Sequence, residues 1–188
     1  MAKILYFDTE TTGLDPKAND IIQLAMIIEI DGKVKEEVNM KMQPFDYDSV
    51  QEGALKVHGI SIEEMKSFQT PQEAHKKIKK ILSRHINKFD KRDKFFPAGY
   101  KVGFDLDFLS EFFKKNNDKY LGSYQNWQGL DPLPVFRLYG ALGMVKVPNY
   151  KLTTMCEFLD IEIDAHDALS DIRATRILLK EVMTRLVR

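Results

Sequence analysis

Cysteine is nearly missing from this chain: Cys156 is the only one in 188 residues. No internal disulfide can form, and a lone thiol suits a reducing, cytoplasmic setting. Set among Leu152, Met155, Phe158 and Leu159, it is expected to be a buried structural thiol and not a nucleophile. No apolar stretch approaches the roughly 20 residues of a membrane-spanning helix, so no membrane partner is expected. The opening run Ile4 to Phe7, closed by Asp8, is too short for a secretory leader. Repeats, low-complexity tracts and linkers are absent too, which leaves one compact domain over 1–188 as the expectation. Excess charge is also lacking. Lys and Arg number 28, as do Asp and Glu, and a neutral chain is not coated in the positive potential that grips long duplex DNA.

What the sequence does have is an ordinary globular balance, 44% hydrophobic and 30% charged, which is enough to build a core. Its charge is unevenly spread. From Lys76 to Lys94 there are nine Lys or Arg against two Asp, a run that reads as a solvated helix face. Ile4 to Phe7 has the continuous apolar character of a strand buried on both sides. Ile21 to Ile30 predicts a second strand, with Asp31-Gly32 as a tight hairpin turn into Val34 to Met42. Short helical pieces are expected over Ser49 to Lys56 and Ile62 to Met65. Pro71 opens a longer helix with the stripe Ile78, Ile81, Leu82, His85, Phe89. Phe95 to Tyr100 predicts a strand, Asp105 to Lys115 a helix, and Gln125 to Leu130 a last strand. Helices follow near Val135 to Leu142, Thr153 to Leu159 and Asp167 to Leu186. This order predicts an α/β fold with a mixed sheet of about five strands flanked by helices.

Acidic residues at three distant places carry the chemistry. Asp8 and Glu10 lie two apart at the end of the first strand, so both carboxylates project from one face at the sheet rim. The following Gly13 permits a sharp turn that brings backbone N–H groups close to a ligand. Oxygen donors without an intervening base suit a hard cation such as Mg²⁺ or Mn²⁺, although a solvated turn would also accommodate the pair. Asp105 stands at the inner end of an apolar helical stripe with Leu109 and Phe112, or else caps that helix. Asp107 is expected to face solvent. Asp171 shares a face with Leu178 on the last helix and points toward the core, where an uncompensated carboxylate is costly. His166 precedes that helix in a segment that can hinge, and Asp167 could serve as its cap. Four acids from three segments together with one His make a two-metal phosphodiesterase site, with two cations about 4 Å apart holding the scissile phosphate. His166, with an ordinary pKa near 6.5, suits the base that takes a proton from the attacking water.

At these residues the chain resembles the DnaQ-like, proofreading-type 3′→5′ exonucleases with a ribonuclease H-like fold. The matching segments are Phe7-Asp8-Thr9-Glu10-Thr11-Thr12-Gly13-Leu14, Phe104-Asp105, and His166 five residues before Asp171. That spacing resembles the branch with a catalytic His. Weaker agreement covers Ala54 to Ile60, including His58, as well as Asp131 and Tyr150-Lys151-Leu152. The resemblance implies that Asp8, Glu10 and Asp171 bind one Mg²⁺ or Mn²⁺, and that Asp8, with Asp105 directly or through water, binds a second. It implies that backbone around Thr9, Thr11, Thr12 and Gly13 holds the 3′-terminal nucleotide, and that Leu14 and Phe104 pack against its base. Phe104 as a core residue is the alternative. The chain departs from its relatives at Tyr100-Lys101, where many carry His-Asn, and at Gln23. Lys101 is expected to contact a backbone phosphate, or to be an ordinary surface lysine.

The resulting expectation is a metal-dependent hydrolase that releases nucleoside monophosphates from single-stranded DNA 3′ ends, in proofreading or as a standalone nuclease. Its partner is the nucleic-acid 3′ end, with a DNA polymerase as a further partner. RNA as the substrate, an inactive binding module and a polymerase-seating subunit are the competing readings.

Overall fold

The computed structural model describes residues 2–164 and 167–186, with side chains through residue 184. A four-stranded mixed sheet forms its centre, in the order β3-β2-β1-β4. Strands β1 (Lys3–Thr11), β2 (Ile21–Ile30) and β3 (Lys33–Lys41) make an antiparallel meander, and β4 (Phe96–Ala98) adds in parallel beside β1. The β2–β3 turn is Asp31-Gly32 with φ of 49° and 78°, the two positive values that a type I′ hairpin requires. The helices are α1 (Glu52–His58), α2 (Ile62–Lys66), α3 (Pro71–His85), α4 (Gly103–Lys115), α5 (Leu133–Ala141), α6 (Leu152–Phe158) and α7 (Ala168–Leu186). Pro71 begins α3, and Thr70 and Glu73 close a reciprocal capping box there.

Both faces of the sheet are covered, which is why β2 is apolar almost throughout. Leu5 and Phe7 of β1, with Leu24, Met26 and Ile28 of β2, pack against Ile78 and Leu82 of α3 and Leu109, Phe112 and Phe113 of α4. Tyr6, Ala25 and Ile27 point the other way, against Ile172 and Leu179 of α7. Outside α7 lies a second apolar layer, in which Leu133 and Phe136 of α5 and Met155 and Cys156 of α6 meet Ala174 and Leu178. Cys156 is fully buried there and its thiol is pushed up to about 11, as a structural role requires.

Two expectations are corrected. Gln125 to Leu130 is not a strand; among the described residues the sheet has four strands and not five. Asn126 donates to Phe95 O and Leu130 to Pro97 O, so four residues advance where β4 advances two. The surplus loops out and leaves only isolated bridges at Gln125 and Leu130. Phe89 does not extend the stripe of α3, because that helix ends at His85 and Phe89 stands in the loop beyond it.

Glu29 is a charge inside the apolar run of β2, and it fastens α7 to the sheet. Its carboxylate accepts from Arg176 Nε at 2.7 Å and Nη2 at 2.5 Å, with Lys180 Nζ at 3.2 Å. A more exposed pair, Arg173 with Glu37 of β3 at 2.5 Å, lies one turn nearer the start of α7. Removing one partner of a buried pair strands the other charge. Glu29→Ala is therefore expected to cost about 3–5 kcal/mol in urea unfolding, whereas Glu37→Ala should cost less than about 1 kcal/mol. Equal costs for the two substitutions would refute this account of how α7 is held.

Candidate active site

Side-chain alternation along β1 sends Asp8 and Glu10 to the α7 face, in line with Tyr6, at the C-terminal end of the strand. Asp171 comes from the first turn of α7 on that same face. Asp167, immediately before this helix, accepts from Ser170 N at 2.9 Å and so acts as its cap. Asp105 comes from the opposite layer. It is buried in the first turn of α4, where its Oδ1 accepts from Thr9 N at 2.9 Å and Thr9 Oγ1 at 2.6 Å. It is therefore not the cap of its helix: that position belongs to Val102. Asp107 is exposed.

The four carboxylates act on one another. Burial, then Asp105, Asp171, Glu10 and Asp167, holds Asp8 well above the usual carboxylate range. Burial and the repulsion of Asp171, Asp105 and Asp167 push Glu10 up to about 8. Asp105 is pushed up to about 7 by burial, against the opposing hydrogen bonds from Thr9. Like charges gathered in a low-dielectric place favour the protonated forms unless positive charge compensates them. All the donors are carboxylate oxygens, the chemistry that a hard divalent cation takes. Among the described residues, no three His, Cys, Asp or Glu side chains are gathered tightly enough to form a ready-made cage. His166 lies outside the described residues.

Two openings flank the acids. The first, of about 400 Å³, is lined by Thr9, Glu10, Thr11, Gly13 and Leu14, together with Val57, His58 and Phe104. Its walls are largely apolar, as for many small-molecule sites, and Leu14 is 80% exposed at its rim. Phe104 is partly exposed and stacks obliquely on Phe108, with centroids 4.7 Å apart. It is thus both a groove wall and an edge of the core. His58 Nδ1 accepts from Ile60 N at 3.0 Å, which leaves Nε2–H as a donor, and burial lowers its pKa. Gly13 is required where it stands, since a Cβ would lie 2.4 Å from Asn19 Oδ1. The second opening, of about 410 Å³, is lined by Asp8 and Asp171 with Tyr100, Lys101, Lys151 and Leu152. Lys101 sits there in the left-handed region, at φ 59°.

One expected substrate residue is not available. Thr12 is fully buried: its N–H donates to Asp20 O, its carbonyl accepts from Gln51 N, and its hydroxyl accepts from Asp20 N at 2.8 Å. It ties the turn together and does not line the groove. Sequence reasoning missed Val57 and Gln51 of the groove and the role of Lys151 beside Lys101. An apolar residue on a short helix gives no sign of a groove until its exposure is known.

The model of an exonuclease family, RNase_T, matches residues 5–179. The PolC-type DNA polymerase III of Bacillus cereus is 25% identical over 178 residues, spanning 94% of this chain and 11% of that protein. That of Mycoplasmopsis pulmonis is 28% identical over 111 residues, 59% of this chain and 7% of that one. Among solved structures, the zinc-bound E. coli ExoI–ssDNA complex superposes with a TM-score of 0.84 at 25% identity, covering 100% of this chain and 42% of that one. E. coli Exonuclease I in complex with a dT13 oligonucleotide gives 0.83 at 26% identity, with 100% and 42% covered. The chain thus spans about a tenth of the polymerases and less than half of the exonuclease. The DnaQ-like resemblance and the ribonuclease H-like fold are both upheld. With nearly its whole length matched, the chain belongs to the RNase_T exonuclease family.

Proposed function

We propose that this chain is a metal-dependent 3′→5′ exonuclease that shortens single-stranded DNA one nucleotide at a time. The observation that carries the reading is the convergence of Asp8, Glu10, Asp105 and Asp171 beside an apolar groove of about 400 Å³. The family supports an exonuclease, and the single-stranded DNA held by E. coli ExoI supports that substrate over RNA. The likeness to PolC-type polymerases favours action alongside a DNA polymerase.

In this proposal Asp8, Glu10 and Asp171 hold one divalent cation, and Asp8 and Asp105 a second, either Mg²⁺ or Mn²⁺. Bound there, such cations polarise the scissile phosphodiester and make a nucleophile of water near neutral pH. The protein supplies the rest. Thr9 keeps Asp105 oriented through two hydrogen bonds. Leu14, Val57 and Phe104 take the terminal base by stacking and apolar contact, which tolerates any base. Backbone at Thr11 and Gly13, with His58 Nε2–H, faces the sugar. Lys101 and Lys151 border the acids from the second opening, which supports a role for both in holding backbone phosphates. His166 takes the proton from the attacking water.

Asp8→Ala should reduce hydrolysis of a 5′-labelled single strand in Mn²⁺ to background. It should also remove the stabilisation that Mn²⁺ gives the parent in thermal melts, because a ligand bound only by the folded state raises its stability. A mutant that still yields a ladder of shortened products would defeat the assignment.

The raised carboxyls also fix a pH dependence. Glu10 moves from 4.5 to about 8 and Asp105 from 3.8 to about 7. The folded state therefore retains protons that the unfolded chain has lost, and stability present below about pH 4 is lost as pH rises toward 8. In EDTA, the melting temperature should fall across that window. Glu10→Gln should flatten the fall, and Mn²⁺ should offset it most at the upper end, where the ligands are deprotonated. A melting temperature independent of pH in both proteins would mean that the acids do not share a buried site.

A further inference from the structure

Helix α4 starts at the acidic site and ends at Lys115, a run of roughly 20 Å at 1.5 Å per residue. Just beyond its far end Asp118 borders two openings, of about 370 and 340 Å³. The first also carries Lys88, Phe89 and Tyr120, and the second Lys119 and Trp127. Asp118 is itself buried and compensated, with His75 Nε2 at 3.2 Å and Lys79 Nζ at 2.7 Å from its Oδ2. The uncompensated charges at the surface are therefore cationic. Neither Lys88 nor Lys119 has a carboxylate partner among the described residues.

The aromatics here are unusual in their exposure. Phe89 is 86%, Tyr120 72% and Trp127 59% exposed, and three large rings left in water around one centre mark a binding surface more than a core. Lys88 Nζ lies 5.2 Å from the centroid of Phe89, so cation and ring are offered together. Of the basic segment Lys76 to Lys94, Lys79 and Lys88 line the first opening, in a chain that is neutral overall. The two ends are thus opposite in sign, with carboxylates at the start of α4 and lysines with open rings at its finish. A polyanion with stackable bases matches both features of the basic end, where an acidic peptide would match only the charge.

We propose that the surface formed by Lys88, Phe89, Lys119, Tyr120 and Trp127 is a second binding site for single-stranded nucleic acid, anchoring a strand about one helix length from the acidic site. From the function proposed above it takes only that strands are the ligand. Lysines hold the phosphates and the rings stack bases without regard to sequence.

The test is fluorescence anisotropy with a labelled oligothymidylate of about 30 nucleotides in EDTA, so that binding is read without hydrolysis. Phe89→Ala/Tyr120→Ala should weaken binding at least about tenfold, and Lys88→Ala/Lys119→Ala should lower the salt slope of log K by about 1.4, two phosphates' worth for a single strand. Melting temperatures should hold, since all four side chains are exposed. Turnover of a dinucleotide in Mn²⁺ should also hold, because so short a strand cannot reach both sites. Unchanged affinity and salt slope in both double mutants would overturn the proposal, as would capture of poly-glutamate in preference to the oligonucleotide. An Asp8→Ala protein that kept hydrolysis while these binding losses appeared would refute the metal assignment and leave this second site standing.

Discussion

Successive side chains on a strand face opposite ways, and in β1 that alternation determines where the chemistry can occur. Leu5, Phe7 and Thr9 face α3 and α4, whereas Tyr6, Asp8 and Glu10 face α7. Because both faces of the sheet are covered, each helical layer can deliver one acid to the strand's end. Asp105 arrives from one layer through Thr9 and Asp171 from the other. A shift of β1 by one residue would exchange the faces, turning Thr9 toward α7 and both acids into the layer of Phe112 and Phe113. The antiparallel register from Lys3↔Ile30 to Glu10↔Gln23 is therefore part of the site as much as of the fold.

Gathering these acids costs stability, and the raised protonation of Asp8, Glu10 and Asp105 records that cost. Other parts of the molecule offset it. Glu29, Arg176 and Lys180 bind α7 to β2 on the same face that carries Asp8, and Asp20 bonds to Lys115 and Asp46 N to hold the turn after β1 against the end of α4. Repulsion at one end of the strand is thus contained by paired charges around it.

How much of this could be read from sequence follows from the range of the interactions. β1, β2 and the Asp31-Gly32 turn depend on local periodicity and turn chemistry, and they were legible. So were Asp8 and Glu10, whose spacing of two fixes a shared face, and Asp105 and Asp171, whose helical positions turn them inward. The lost fifth strand depends on a two-residue excess against β4, which no periodicity within Gln125 to Leu130 reveals. Thr12 looked like its neighbours Thr9 and Thr11, yet the partner that buries it, Asp20, comes from the start of β2. Val57 and Lys151 border the openings only because separate elements, α1 and the start of α6, bring them there. Local rules found the acids, whereas the surfaces around them are products of tertiary packing.

Cys156 has a practical consequence. It is the one thiol in the chain, fully enclosed between α6 and α7, and burial keeps it protonated. Thiol reagents attack the thiolate, so its modification has to wait for the α6–α7 layer to open. The chain thus carries a built-in chronometer for that motion: the rate of alkylation reports how often the layer supporting Asp171 parts from its neighbour.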